Sequence, residues 1–116
     1  MSSATNSQVA IVLTTLGADV DAGALARTLV EERLAACVNV LPPMTSMYHW
    51  KGAIEQEREQ QLVIKTAAGR VGALEARLRE LHPYEVPEFV VLEGRASVAY
   101  AAWIEASTRQ AGPPQR

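Results

Sequence analysis

The sequence has little cysteine and few aromatic residues, and each shortage narrows what the chain can be. A single cysteine, Cys37, among 116 residues excludes an intrachain disulfide and any metal site built from paired cysteine ligands. We expect it to be a small buried apolar side chain. Aromatic residues make up 5% of the chain, and only Tyr48, Trp50 and Phe89 fall near predicted strands. They are too few for the base-stacking surface of an RNA-recognition motif.

The chain also lacks long apolar runs and an excess of charge of one sign. No apolar stretch approaches the length that crosses a bilayer, and residues 1–8 have neither the basic start nor the apolar run of a signal peptide. The 11 lysines and arginines are interspersed among 13 acidic residues, for a net charge of −2. Such a distribution argues against nucleic-acid binding. We therefore predict a soluble cytoplasmic protein with no membrane or nucleic-acid partner.

The composition, with 48% hydrophobic and 21% charged residues, is that of an ordinary folded protein. The length suffices for one hydrophobic core and is too short for two ordinary domains. We predict a single domain over residues 9–109. The polar segment 1–8 and the Gly- and Pro-containing tail 110–116 are expected to be disordered.

The spacing of apolar residues predicts four strands and three helices. The predicted strands cover residues 9–15, 36–50, 53–66 and 86–93, and the predicted helices run from 19 or 21 to 33, from 69 to 81 and from 97 to 109. Pro42 and Pro43 make the second strand a kinked edge strand. The order predicts an α+β, ferredoxin-like βαββαβ sandwich with an antiparallel sheet, a long hairpin between its second and third strands, and an extra C-terminal helix.

The outer part of the long hairpin carries too little apolar surface to pack on the core of its own domain. Residues 55–61 are almost wholly polar, whereas Met44, Met47, Tyr48 and Trp50 lie near the tip. An isolated two-stranded ribbon is only marginally stable in water. We expect the arm to pack on another subunit, and the alternative is a solvated ribbon.

The stretch 82–88, His-Pro-Tyr-Glu-Val-Pro-Glu, lies between a predicted helix and a predicted strand. Its two prolines stiffen the connection. His82 could bind a metal or transfer a proton, Tyr84 could donate a hydrogen bond, and Glu88 could bind a cation. The alternative is that the two prolines only end a helix and open a strand.

Two other polar residues, Lys65 and His49, have interpretations of their own. Lys65 enters an apolar run and needs a carboxylate partner, for which Glu59 is the candidate. His49, near the hairpin tip, is interpreted as a solvent-exposed imidazole.

Several chemistries lack the residues they require. The sequence has no glycine-rich loop of the kind that binds phosphate, and none of its nucleophilic residues has a recognisable histidine and acidic partner. A copper chaperone of this topology would need two cysteines after the first strand, where residues 14–19 contain none. We therefore predict that the protein is not an enzyme.

An ordered set of segments resembles the CutA divalent-cation tolerance family over about residues 10–108. The segments are 34–39, 45–52, Glu59, Lys65–Thr66, 82–88 and Trp103–Ile104. The resemblance implies a ferredoxin-like fold assembled as a homotrimer, with the long hairpins packing across subunits. It also implies a role in tolerance to divalent metals, copper above all, with no obligatory cofactor.

The resemblance also implies which residues would form the site. His82 and Glu88 are the predicted ligands for Cu(II) or another divalent cation. The predicted intersubunit cleft is lined by Tyr48, Trp50, Glu59, Lys65 and Tyr84. Two positions that are metal-linked in some relatives carry Thr14 and Leu81 here. With one imidazole per site, metal affinity is expected to be roughly micromolar or weaker.

A second function is implied by the similarity of CutA trimers to PII-type signalling proteins. The chain would then be a regulatory module that binds a small anionic effector in the intersubunit cleft, with Lys65 as the counter-charge. An enzyme using Tyr84 or His82 as acid or base ranks last.

Overall fold

A computed structural model describes residues 7–110, which form an antiparallel sheet and three α-helices, as predicted. The strands are β1 (Gln8–Gly17), β2 (Cys37–Val40), β3 (Met44–Trp50), β4 (Ala53–Thr66) and β5 (Val90–Arg95). The helices are α1 (Ala22–Glu31), α2 (Val71–Leu81) and α3 (Val98–Thr108), and a short 3₁₀ turn at Ala68–Arg70 precedes α2.

The long strand β4 connects the sheet to the hairpin. The sheet order is β2-β4-β1-β5, every pairing is antiparallel, and β3 pairs with the first part of β4. Glu59 is the residue of β4 that lies opposite both Gly17 of β1 and Met44 of β3. Beyond that point towards its N-terminus, β4 pairs with β3 alone, and the two strands form what we call the ribbon, residues 44–59.

One face of the sheet packs against α1 and α2. Alternation along the strands places Val12 and Leu16 of β1 beside Leu62 and Ile64 of β4 on this face. These four side chains are fully buried. They form the main core together with Ala22, Leu29, Leu34, Ala35, Leu74 and Leu78. Helices α1 and α2 thus bury Leu29, Leu74 and Leu78 against the sheet, whereas Val30 of α1 is 43% exposed.

The opposite face of the sheet is only partly covered. Val9, at the start of β1, packs with Ala101 and Ile104 of α3, so α3 covers one end of this face. The remaining apolar side chains on it are Ile11, Leu13, Val63, Val90 and Leu92. Val90 and Leu92 are 44% and 49% exposed. We call this the open sheet face.

Polar side chains cap the N-termini of α1 and α3. Asp21 is the N-cap of α1, where its Oδ1 accepts a hydrogen bond from the backbone N–H of Ala24 at 3.0 Å. Ser97 caps α3, and its Oγ accepts from the N–H of Tyr100 at 3.2 Å. Helix α2 ends at Leu81, directly before the His-Pro pair, as the sequence predicted.

Two predicted strands differ in the structure. The stretch 36–50 is not one kinked strand, because residues 41–43 separate β2 from β3 where Pro42 and Pro43 have no N–H to donate. The last strand begins at Val90 rather than Val86. Pro87 cannot donate to a sheet either, and residues 86–89 remain a loop.

The predicted disordered ends fall mostly on residues 1–6 and 111–116, which lie outside the described residues. Gln8, which was assigned to the first of them, is the first residue of β1. Within residues 7–110, no helix combines the length and the apolar character needed to cross a membrane.

Candidate functional site

A cavity of about 740 Å³ lies between the ribbon and the loop that follows α2. The ribbon and the rest of β4 supply one wall, the loop supplies the other, and β1 contributes one residue. The lining residues are Thr15, Met44, Ser46, Met47, Tyr48, Trp50, Glu55, Glu57, Glu59, Gln61, Pro83, Tyr84, Glu85, Val86 and Glu88. A volume of this size lies within the usual range for small-molecule sites.

The most buried carboxylate of the cavity belongs to Glu59. Its residue is 7% exposed, and its Oε2 accepts a hydrogen bond from the Tyr84 hydroxyl at 2.8 Å. Neither of its oxygens lies in an ion pair within residues 7–110. Glu59 is therefore a buried charge whose partner is a neutral phenol.

The cavity raises the pKa of both tyrosines that line it. For Tyr84 the main cause is burial, followed by the hydrogen bond to Glu59 and the negative charges of Glu59 and Glu57. For Tyr48 the causes are desolvation first and then the charges of Glu57, Glu59 and Glu55. Both phenols are thus neutral hydrogen-bond donors at physiological pH.

His82 does not line the cavity but forms hydrogen bonds with the backbone of two residues that do, Thr15 and Tyr84. His82 is 7% exposed, with Nε2 2.6 Å from the carbonyl oxygen of Thr15 and Nδ1 3.2 Å from the backbone nitrogen of Tyr84. Because the Tyr84 N–H can only donate, Nδ1 is the acceptor and Nε2 carries the proton donated to Thr15. Both ring nitrogens are therefore in use, and a metal at His82 would have to displace one of these bonds.

Glu88 lines the cavity beside Gln61. Its Oε2 accepts from Nε2 of Gln61 at 3.0 Å, and the same amide donates to the carbonyl oxygen of Thr14 at 2.8 Å. Gln61 thus ties the loop after α2 to both β4 and β1. Glu88 retains its second oxygen, Oε1, for a cation in the cavity.

The structure brings together four of the five predicted cleft residues, Tyr48, Trp50, Glu59 and Tyr84, and leaves out Lys65. Lys65 is six residues along β4 from Glu59, which corresponds to roughly 20 Å of strand. The predicted pairing of these two residues is therefore wrong.

Two other residues, Cys37 and His49, do not line the cavity. Cys37 lies opposite Lys65, on the open sheet face, and is half-buried instead of fully buried as expected. His49 is exposed, as predicted.

Thr14 and Leu81 lie on the core side of the sheet. Thr14 is fully buried, and its Oγ1 has no hydrogen-bond partner among the residues that the structure describes. Leu81 packs against the main core. Neither side chain reaches the cavity, so neither position adds a ligand to it.

The lining of the cavity is strongly acidic. Among the described residues, it includes five glutamates and no lysine, arginine or histidine. Lys51, at the hairpin turn, places its Nζ 4.0 Å from Oε1 of Glu85 and 5.6 Å from the ring centroid of Trp50. Both members of that ion pair are more than 70% exposed, so it offsets little of the charge. Within residues 7–110, no three or more His, Cys, Asp or Glu side chains are grouped to hold a metal ion.

Sequence reasoning missed three of these glutamates, namely Glu55, Glu57 and Glu85. A signal for two of them was present, because Glu55, Glu57 and Glu59 alternate along one predicted strand. Residues at every second position share a face, so the pattern predicts a row of carboxylates.

A family model described as CutA1 divalent ion tolerance protein matches residues 10–107. The chain belongs to the CutA family. The divalent-cation tolerance protein CutA of Thermus thermophilus is 40% identical over 99 residues, which cover 84% of this chain and 96% of that protein. These matches confirm the resemblance inferred from the ordered segments.

Solved structures of CutA proteins share the fold. CutA from Synechococcus elongatus superposes with a TM-score of 0.82 at 41% identity, covering 89% of this chain and 92% of that one. A CutA from Nostoc, described as a PII-like protein in apo form, gives a TM-score of 0.81 at 38% identity, covering 88% of this chain and 99% of the other. The antiparallel sheet and three helices are thus those of CutA structures.

Proposed function

We propose that this CutA family member serves in tolerance of divalent metal ions, copper among them, by weak binding of cations in the acidic cavity. The observation that supports this is the lining itself, with five glutamates and no basic side chain around about 740 Å³. A cavity of that charge attracts cations and repels anions.

Within the proposed site, Glu88 and Glu59 are the carboxylates that can bind a metal. Within residues 7–110, Oε1 of Glu88 has no hydrogen-bond or ion-pair partner, and Glu59 has no cationic partner. For His82 to bind a metal as predicted, its ring must first lose either the hydrogen bond to the Thr15 carbonyl oxygen or the one from the Tyr84 N–H. With so few preorganised ligands, a dissociation constant in roughly the micromolar range or weaker is expected.

Titration calorimetry with CuCl₂ in a weakly coordinating buffer tests this proposal. Glu88→Gln should weaken the binding of Cu(II), whereas Glu105→Gln, on the exposed surface of α3, should not. His82→Asn, checked for folding by circular dichroism, decides whether the imidazole takes part. Absence of Cu(II) heat from the unmodified protein would overturn the proposal.

We further propose that the chain assembles as a cytoplasmic homotrimer of ferredoxin-like subunits. The sheet order and the family membership support the subunit fold. The open sheet face supports assembly, as does the ribbon, on which Met47 and Ile54 are 69% and 73% exposed. Sedimentation equilibrium should give three times the chain mass of 12.6 kDa. A monomer would refute the assembly.

A PII-like module that binds a small anion is the second candidate, supported by the likeness to the Nostoc protein. The negative charge of the cavity disfavours an anion there, so such a ligand would have to approach Lys65 on the open sheet face. Calorimetry with ATP tests this, because the heat should vanish in Lys65→Ala.

A further inference from the structure

We propose that the acidic cavity binds an aliphatic polyamine, that is, a flexible organic cation with several ammonium groups. The inference concerns the same cavity as the proposed metal binding but requires no metal. It rests on the burial of one carboxylate, the spacing of three carboxylates and the aromatic walls.

Glu59 supplies the first argument. The residue as a whole is 93% buried and lines the cavity, and its Oε1, which has no hydrogen-bond or ion-pair partner within residues 7–110, is open to the cavity instead of being enclosed. Burying a carboxylate is unfavourable unless a cation or several donors compensate it. A bound ammonium group would supply the missing charge and a hydrogen bond to Oε1.

The spacing of the glutamates supplies the second argument. Glu55, Glu57 and Glu59 occupy alternate positions of one strand, so the Cα atoms of successive glutamates are roughly 6.6 Å apart. A divalent ion needs its oxygens to converge to about 2.0–2.6 Å, and the described residues contain no such group. Ammonium groups separated by chains of three or four methylenes match a row of this kind better than one compact ion does.

The walls of the cavity supply the third argument. Tyr48, Trp50 and Tyr84 present aromatic rings, which attract ammonium groups and cover methylene chains. The structure already contains one alkylammonium group near an aromatic ring and a carboxylate, since Nζ of Lys51 lies 5.6 Å from the centroid of the Trp50 ring and 4.0 Å from Oε1 of Glu85. A ligand amine could take the same kind of place deeper in the cavity.

Calorimetry of the full chain with spermidine at low ionic strength tests the proposal. We expect saturable binding, weakened at least about 10-fold in the double variant Glu55→Gln/Glu57→Gln. The matched control is Glu93→Gln/Glu105→Gln, which changes the net charge equally outside the cavity and should change the affinity less than about twofold. Butylamine, with one ammonium group, should bind at least about 10-fold more weakly than spermidine.

A third variant keeps the test independent of folding. Glu59→Gln retains an oxygen that accepts from Tyr84 and should still lower spermidine affinity, because it removes the buried charge. No binding of spermidine, or an equal loss in the two double variants, would overturn the inference. Copper binding without spermidine binding would leave only the metal proposal, and the reverse result would leave only this one.

Discussion

The hydrogen bond between Tyr84 and Glu59 should make a measurable contribution to stability. Tyr84→Phe removes the hydroxyl that lies 2.8 Å from Oε2 of Glu59 and leaves the carboxylate of this buried residue without that partner. A hydrogen bond to a charged group contributes about 1.5–3 kcal/mol. Tyr84 is only partly buried, so we expect the lower end of that range, about 1.5 kcal/mol.

A double-mutant cycle isolates this interaction. Urea unfolding of the unmodified protein, Tyr84→Phe, Glu59→Ala and the double variant gives the coupling energy between the two side chains. All four proteins must be compared at one protein concentration, because subunit assembly would make stability depend on concentration. The expected coupling is about 1–2 kcal/mol. A value within about 0.3 kcal/mol of zero would show that the two side chains act independently, contrary to our reasoning.

Three further predictions concern other parts of the chain. Folding raises the pKa of Tyr84, so the stabilising effect of the Tyr84 hydroxyl is complete below the unfolded pKa of about 10 and is lost as pH rises through the folded pKa. In alkaline unfolding experiments, the stability of the unmodified protein should therefore approach that of Tyr84→Phe. Asp21→Ala should lower the free energy of unfolding by about 1 kcal/mol through loss of the α1 cap, whereas Asp19→Ala should change it little; equal effects would contradict the assignment of the cap. Trp50→Ala should weaken assembly or cation binding more than the subunit fold, and unchanged sedimentation and calorimetry would count against both proposals.

Local pattern was enough to predict most elements. Capping side chains such as Asp21 and Ser97 mark helix starts through contacts three residues along the chain. The first residue of β5 was not predictable in the same way. The run from Val86 has strand composition, but Pro87 cannot donate to a neighbouring strand, and the structure begins β5 only at Val90.

The site was predictable only in part, because its geometry depends on contacts between distant residues. Tyr48, Trp50, Glu59 and Tyr84 line one cavity within a single chain, whereas the resemblance implied a cleft between subunits. One hydrogen bond of the His82 ring goes to the carbonyl oxygen of Thr15, 67 residues earlier. No local pattern reveals that both ring nitrogens are engaged in hydrogen bonds.

Lys65 is a different case, since counting residues along a strand would have placed it far from Glu59. The family resemblance grouped the two residues, but strand geometry separates them.

The continuity of β4 through Glu59 has a mechanical consequence. The inner part of the strand is held between β1 and β2, whereas the outer part is held by β3 alone. Any tilt of the outer part about Glu59 moves Tyr48 and Trp50 towards or away from Tyr84, and so widens or narrows the cavity. A neighbouring molecule that binds the ribbon would thereby change the affinity of the cavity for its ligand. By thermodynamic linkage, the ligand would change the affinity of the ribbon for the neighbouring molecule by the same factor.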